Sequence, residues 1–219
     1  MSQHVMEKQT VFVGEKRLEG FLRLPDDPVG FVIFAHGAGS SHRSTRNNFV
    51  AEELARRGIG TLLFDLLTEN EAASRANVFD IALLSRRMLD AIEWAKHNPA
   101  TASLPVGLFG ASTGAAAALV AAAQDPARVH AVVSRGGRPD LAGTALPEVR
   151  APVLLIVGGA DHQVIDLNDQ AAQRLSCAFA VEIVPGATHL FEEPGTLEQV
   201  VELAGDWFET RLAGAERAP

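Results

Sequence analysis

The sequence predicts an α/β fold: a mostly parallel, doubly wound sheet with helices on both faces. Three observations indicate it: six short apolar runs, helical apolar periodicity between them, and an alternating hairpin pattern before them. Strands that alternate with helices are joined by crossovers, so they pair in parallel and their helices cover both faces. The 219 residues fit a single domain over 1–219, with a frayed tail at about 213–219.

The strands are predicted from runs rich in β-branched and aromatic residues. The first two form an antiparallel hairpin around the Gly-Glu-Lys segment at 14–16. The other six are apolar on both faces, which is typical of central parallel strands. In chain order the predicted strands are 10–13, 18–24, 30–35, 60–64, 105–109, 129–134, 152–157 and 179–184.

The helices are predicted between these strands. The second has Leu84, Met88 and Ile92 on one apolar stripe, the pattern of a helix that packs against a sheet. Only 17 residues separate the strands ending at 134 and starting at 152. That connection is too short for a large helical cap, so we expect no cap domain and an open site covered by loops. The predicted helices are 47–57, 77–97, 112–124, about 166–176 and about 197–212.

Composition narrows the classes of function. A net charge of −8 argues against nucleic acid or an anionic membrane as the main partner. No segment approaches the roughly 20 apolar residues of a membrane span, and the first residues lack the apolar core of a signal peptide. The single cysteine, Cys177, cannot form an internal disulfide. We therefore expect a cytoplasmic monomer or homodimer that acts on a small molecule.

The pentapeptide Gly-Ala-Ser-Thr-Gly at 110–114 stands between an apolar strand and an alanine-rich helix. This context is required for a nucleophile elbow, a tight strand-to-helix turn that exposes the hydroxyl of Ser112. Glycines on either side let the helix pass close to neighbouring strands, where a Cβ would clash. The alternative is that Ser112 is only a helix N-cap.

A serine nucleophile needs a general base and a group that orients the base. His189 follows the last strand, and Asp161 follows the strand before it. Both therefore lie at the carboxyl edge of the sheet, where ligands and catalytic groups collect. The alternatives are that His189 belongs to a surface loop and that Asp161 is a turn residue, with Asp65 as the rival acid.

Acyl transfer also needs backbone N–H groups that stabilise the negative oxygen of the transition state. Thr113 offers one at the start of a helix, and the loop 36–42 after the first parallel strand offers the second, which we place at Ala38. His36 is expected to hold this loop in place and not to act as a base. No cluster of side chains has metal-ligand spacing and no nucleotide-binding glycine loop is present, so we predict no metal or cofactor.

With these segments in this order, the chain resembles a small, capless α/β-hydrolase of the dienelactone hydrolase-like and carboxylesterase group. The resemblance covers nearly the whole domain. It implies the α/β-hydrolase fold, Ser112 as nucleophile with Asp161 and His189, and oxyanion donors at Ala38 and Thr113. Dienelactone hydrolase itself has cysteine where this chain has Ser112. The matching segments are 36–41, 64–65, 110–114, 158–161 and 186–189.

The predicted function is that of a serine hydrolase that cleaves small carboxylic esters through an acyl-enzyme. A thioesterase or lactonase on the same triad, and a weakly catalytic binding module, are the alternatives. Arg135 and Arg138 follow a strand at the same edge, and arginine suits the recognition of carboxylate or phosphate. One of them is expected to bind anionic substrates, unless both pair with acids such as Asp65 or Asp140.

Overall fold

A computed structural model describes residues 7–215 and contains one eight-stranded sheet. The strand order is β1-β2-β4-β3-β5-β6-β7-β8. The β1–β2 hairpin pairs antiparallel and adds to β4 antiparallel, and all other neighbours pair in parallel. The mostly parallel sheet and its antiparallel hairpin are therefore confirmed. The strands are β1 Gln9–Val13, β2 Leu18–Arg23, β3 Gly30–Ala35, β4 Ile59–Phe64, β5 Val106–Ala111, β6 Val129–Arg135, β7 Val153–Gly158 and β8 Phe179–Val184.

Helices cover both faces of the sheet. The longest predicted helix, 77–97, begins later than expected, because the Asp80 carboxylate accepts from the Leu83 N–H and caps the helix at that point. The α7 helix ends at Leu212, and the last four residues of the predicted tail, 216–219, lie outside the described residues. The helices are α1 Thr45–Arg56, α2 Glu69–Ala72, α3 Arg75–Val78, α4 Ile81–His97, α5 Thr113–Gln124, α6 His162–Ala172 and α7 Thr196–Leu212, with a 3₁₀ helix at Pro139–Glu148.

The core lies in two layers, one on each face of the sheet. Helices α1 and α7 pack on one face, and α4, α5 and α6 pack on the other. Phe34 and Phe109 stack at 4.7 Å between ring centres in the first layer. Full burial of such a side chain stabilises the fold by roughly 1.5–3 kcal/mol. Because helices cover both faces of the sheet, apolar residues on both faces of the central strands contribute this stabilisation.

The last strand differs from the sequence prediction. In the described part of the chain β8 lies at the sheet edge and pairs only with β7, so Phe179 and Ile183 are 45% and 43% exposed. An apolar run was therefore not a sufficient sign of a strand buried on both faces.

The parallel strands β3 to β8 bring their carboxyl ends to one edge of the sheet. The segments that follow them are the loop 36–44, the turn at Ser112, the turn 135–138, Asp161 and the loop 185–191. Residues far apart in the chain thus meet at this edge, where sites form in sheets of this kind. Among residues 7–215, no helix is both long and apolar enough to cross a membrane.

Candidate active site

Ser112 occupies a strained turn between β5 and α5. Its φ and ψ are 51° and −124°, a conformation that costs a residue with a side chain on the order of 1–3 kcal/mol. Two backbone hydrogen bonds hold it there, because the Ser112 carbonyl accepts from the N–H groups of Ala115 at 3.1 Å and Arg138 at 3.0 Å. Its side chain makes no capping hydrogen bond, so it does not act as an ordinary N-cap.

The two glycines of the pentapeptide allow this turn to pack. A Cβ added to Gly110 would lie 2.3 Å from the Ala115 Cα, and one added to Gly114 would lie 2.2 Å from the Ala35 carbonyl oxygen. Both distances are far inside van der Waals contact, and both involve backbone atoms that cannot give way cheaply. The pentapeptide therefore has the steric requirements of a nucleophile elbow.

His189 and Asp161 meet at the same edge. The His189 Nδ1 lies 2.8 Å from Asp161 Oδ2, which indicates that Nδ1–H donates to the carboxylate and that Nε2 is left as an acceptor. Asp161 is mostly buried, whereas His189 is 40% exposed. Among residues 7–215 no hydrogen bond joins Ser112 Oγ to His189, a bond that often forms only in the substrate complex.

The rival acid lies elsewhere. Asp65 Oδ1 accepts from the backbone N–H of His42 at 2.8 Å, and it is also 2.9 Å from His42 Nδ1, without the alignment of a hydrogen bond. The structure thus brings His189 to Asp161 and brings Asp65 to a different histidine.

His36 holds the loop that follows β3, as expected from the sequence. Its Nδ1 is 3.0 Å from the Gly37 carbonyl, and its Nε2 accepts from the Leu66 N–H at 3.0 Å. Burial lowers the pKa of His36 below its ordinary value, which favours the neutral ring that these two contacts require. With both nitrogens engaged, His36 has no free position for a proton transfer.

The two predicted oxyanion donors are neighbours, through a contact that sequence reasoning missed. The Ala38 N–H donates to the Thr113 hydroxyl oxygen at 3.0 Å, across 75 residues of chain. Gly37 packs against the nucleophile, because a Cβ added to it would lie 2.9 Å from the Ser112 Cβ. The loop 36–42 is thereby attached to the elbow. No local pattern could have signalled this bond, since it joins two distant loops.

The two predicted substrate-binding arginines differ in their surroundings. Arg138 forms two hydrogen bonds to the carboxylate of Asp140, at 2.8 and 2.7 Å, and remains partly exposed. Arg135 is 5% exposed and donates to the Asn47 side-chain oxygen at 2.8 Å. Burial, with a smaller effect of Arg46, lowers the pKa of Arg135 to about 10. The expected pairing with an acid is therefore found for Arg138 and not for Arg135.

A cavity of about 370 Å³ lies beside the loop 36–43. Gly37 and Ala38 are among the residues that line it, as are the acidic residues Glu19, Asp65 and Glu69. The segment after β4, whose short helices α2 and α3 the sequence did not predict, forms much of the remainder. The apolar residues that line the cavity are Leu66, Leu67, Ala72, Val78 and Leu84.

Comparison with known proteins identifies the family. Residues 18–209 match the model of the dienelactone hydrolase family. The chain belongs to the dienelactone hydrolase family. The resemblance noted from the sequence is thereby confirmed, and membership of this family indicates a hydrolase.

Relatives of this family member include two proteins of Mycobacterium tuberculosis, from strains CDC 1551 and H37Rv, each named "Putative phosphoribosyl transferase". Both are 58% identical over 208 residues, which cover 95% of this chain and 47% of theirs. The chain thus spans about half the length of these curated relatives.

Solved structures of other proteins agree with the fold. A dienelactone hydrolase from Anabaena variabilis is 52% identical, with a TM-score of 0.90 over 95% of this chain and 99% of that one. Est1E from Butyrivibrio proteoclasticus is 16% identical, with a TM-score of 0.78 over 94% of this chain and 99% of that one. The second likeness concerns the fold alone.

Proposed function

We propose that this protein is a serine hydrolase that cleaves small carboxylic esters through an acyl-enzyme on Ser112. The observation that carries the proposal is the strained elbow serine at the same sheet edge as a hydrogen-bonded His189–Asp161 pair. A serine hydroxyl is a poor nucleophile by itself, and this pair supplies the base and the group that orients it.

The proposed reaction has two halves. Ser112 Oγ attacks the ester carbonyl while His189 Nε2 takes its proton, and Asp161 stabilises the imidazolium that forms. The tetrahedral intermediate then loses its alcohol, which receives the proton from His189, and leaves the acyl group on Ser112. Water attacks this acyl-enzyme with the same base, releasing the acid and regenerating the serine.

The oxyanion of each tetrahedral intermediate is proposed to bind the backbone N–H groups of Ala38 and Thr113. The Ala38 amide already has an acceptor in the Thr113 hydroxyl. We propose that the substrate oxygen replaces this hydroxyl as the acceptor. The Thr113 amide is supported by its position at the first residue of α5, where the helix dipole favours negative charge.

The size of the cavity beside the loop 36–43 favours the proposal of a small substrate. Its volume of about 370 Å³ is near the lower end of the range for ligand pockets, about 300–1,000 Å³. A cavity of roughly 150 Å³ is large enough for benzene, so a compact acyl or alcohol group fits here. The cavity is lined by Gly37 and Ala38 and not by Ser112 or His189, so we propose that it accepts a part of the ester farther from the carbonyl.

Thioesters and lactones are the alternatives on the same residues. The mycobacterial relatives are named for phosphoribosyl transfer, and they are about twice the length of this chain. The elbow and the His189–Asp161 pair favour acyl transfer for the segment shared with them, and we propose that the activity in the name is not that of this segment.

A fluorophosphonate probe tests the proposed function directly, because it reacts with activated serines. We expect one label per chain, located at Ser112 by mass spectrometry of tryptic peptides. In parallel, p-nitrophenyl esters of increasing acyl length should give rates that fall steeply beyond short chains. Failure of the folded protein to label, or a label at another serine, would contradict the proposal.

Although Arg138 pairs with Asp140, it stays partly exposed, and we also propose that it favours substrates with a negative charge. Arg138→Ala should lower kcat/KM for carboxylate-bearing esters by about 3- to 10-fold, the effect of roughly 1 kcal/mol at a partly exposed site, and leave neutral esters unchanged. Arg150→Ala is the matched control, because Arg150 is an exposed arginine near an acid two residues away, Glu148. Equal losses on both ester classes would contradict a role in charge selection.

A further inference from the structure

Arg135 is a buried cation. Within residues 7–215 no acid forms an ion pair with it, its only side-chain hydrogen bond goes to the neutral amide oxygen of Asn47, and its Nε is buried without a partner. Burying a guanidinium without a carboxylate destabilises a fold, and a hydrophobic side chain of similar size is usually better tolerated. This cost alone assigns no role to Arg135, because Arg23 on β2 is buried in the same way, so the surroundings of Arg135 decide what it does.

Arg135 also lies between the proposed nucleophile, Ser112, and the loop that carries the proposed base, His189. Its carbonyl oxygen accepts from the Ser112 N–H at 3.4 Å. The next residue, Gly136, packs against the histidine loop, because a Cβ added to it would lie 2.9 Å from the His189 carbonyl oxygen and 3.7 Å from its Nδ1. The end of β6 therefore contacts the nucleophile on one side and His189 on the other.

The guanidinium itself contacts the histidine loop through Phe191. Its Cζ lies 5.8 Å from the centre of the Phe191 ring, within the range of a cation–π contact. Phe191 is 1% exposed and has a φ of +56°, which is unfavourable for an aromatic residue. Such a backbone conformation persists only where packing holds it, and Arg135 supplies part of that packing.

Asp161 holds His189 only by its Nδ1, and 40% of the imidazole is exposed. The backbone of the loop must therefore be held from a second direction for Nε2 to face Ser112. Ala187 and Phe191, two residues on either side of His189, are both buried, and Phe191 is the one whose ring the Arg135 guanidinium contacts.

We propose that Arg135 is a positioning residue: anchored to α1 by Asn47, its guanidinium fixes the Phe191 ring and so aligns His189 with Ser112. The proposal rests on the proposed serine hydrolase function. It assigns Arg135 a role in alignment, distinct from the substrate binding expected from the sequence. Misplacement by about 1 Å can cost on the order of 100-fold in rate, so a contact of this kind can matter without touching substrate.

The test compares Arg135→Met and Arg135→Lys with the wild-type protein. Methionine keeps most of the apolar stem but has no charge, and lysine keeps a charge without the planar group. Both variants should lose about 10- to 100-fold in kcat and in fluorophosphonate labelling, with KM changed less than about threefold. The Tm of Arg135→Met should stay within about 3 °C of wild type or rise, whereas loss of a purely structural residue lowers it.

Arg23 provides a matched control. It is also 5% exposed and donates to an asparagine of α1, Asn48, at 2.7 Å. It lies on β2, which β4, β3 and β5 separate from β6 in the sheet. Arg23→Met should therefore resemble Arg135→Met in thermal stability while it labels at the wild-type rate.

Phe191→Leu keeps the proposal testable if Arg135→Met does not fold. It should reproduce the kcat loss of Arg135→Lys, and combining the two changes should add little, because both remove one contact. Wild-type labelling rates in folded Arg135 variants, full rescue by lysine, or additive losses in the double variant would overturn the positioning role. Absence of labelling in the wild-type protein would instead remove the proposed function, and this role with it.

Discussion

Ser112→Ala is expected to lower kcat on short p-nitrophenyl esters by about 10⁴- to 10⁶-fold, the range for loss of a serine nucleophile. Without the hydroxyl no acyl-enzyme forms, and only the backbone donors and substrate binding remain to assist water. The Ser112 side chain makes no capping hydrogen bond, so the Tm should change by no more than about 2 °C. Steady-state kinetics and differential scanning calorimetry measure the two quantities.

The control is Ser103→Ala, which changes an exposed serine just before the opposite end of β5. It should keep wild-type kcat and wild-type labelling. If Ser112→Ala retained more than about a tenth of the wild-type rate, a different nucleophile or a direct attack by water would have to replace the acyl-enzyme scheme.

Asp161→Asn is expected to lower kcat by about 10³- to 10⁴-fold. An asparagine amide can donate to His189 Nδ1, which then becomes the acceptor and leaves the proton on Nε2. The ring is held in place but in the wrong tautomer, so it cannot take the Ser112 proton. The rate loss should therefore appear in kcat with little change in KM.

Asp65→Asn provides the comparison, because Asp65 was the rival acid and contacts His42. Its effect on kcat should stay below about tenfold. A larger loss for Asp65→Asn than for Asp161→Asn would show that the hydrogen bond between His189 and Asp161 does not carry the function proposed for it.

Most of the fold could be predicted from local patterns. Central strands such as 30–35 are recognisable because both faces are buried and every residue is apolar. The edge strand β8 has a similar apolar run, interrupted by Glu182, but it is half-exposed, since its surroundings depend on which strands pair with it. Helix α4 starts at Ile81 because the carboxylate of Asp80 caps it there, and a prediction from apolar periodicity does not detect a capping residue.

By itself the sequence determined the candidate nucleophile and its two partners. The requirements of the elbow lie within five consecutive residues, and Asp161 and His189 each follow a strand whose end must lie at the same edge. Only the tertiary structure decided that Ala38 bonds to Thr113, that Arg138 is paired, and that Arg135 is buried against Phe191. The first and third contacts join residues that are far apart in the chain, and the pairing of Arg138 depends on the side chains around it. Local propensity encodes neither of these, which is the physical reason that the contacts could not be predicted.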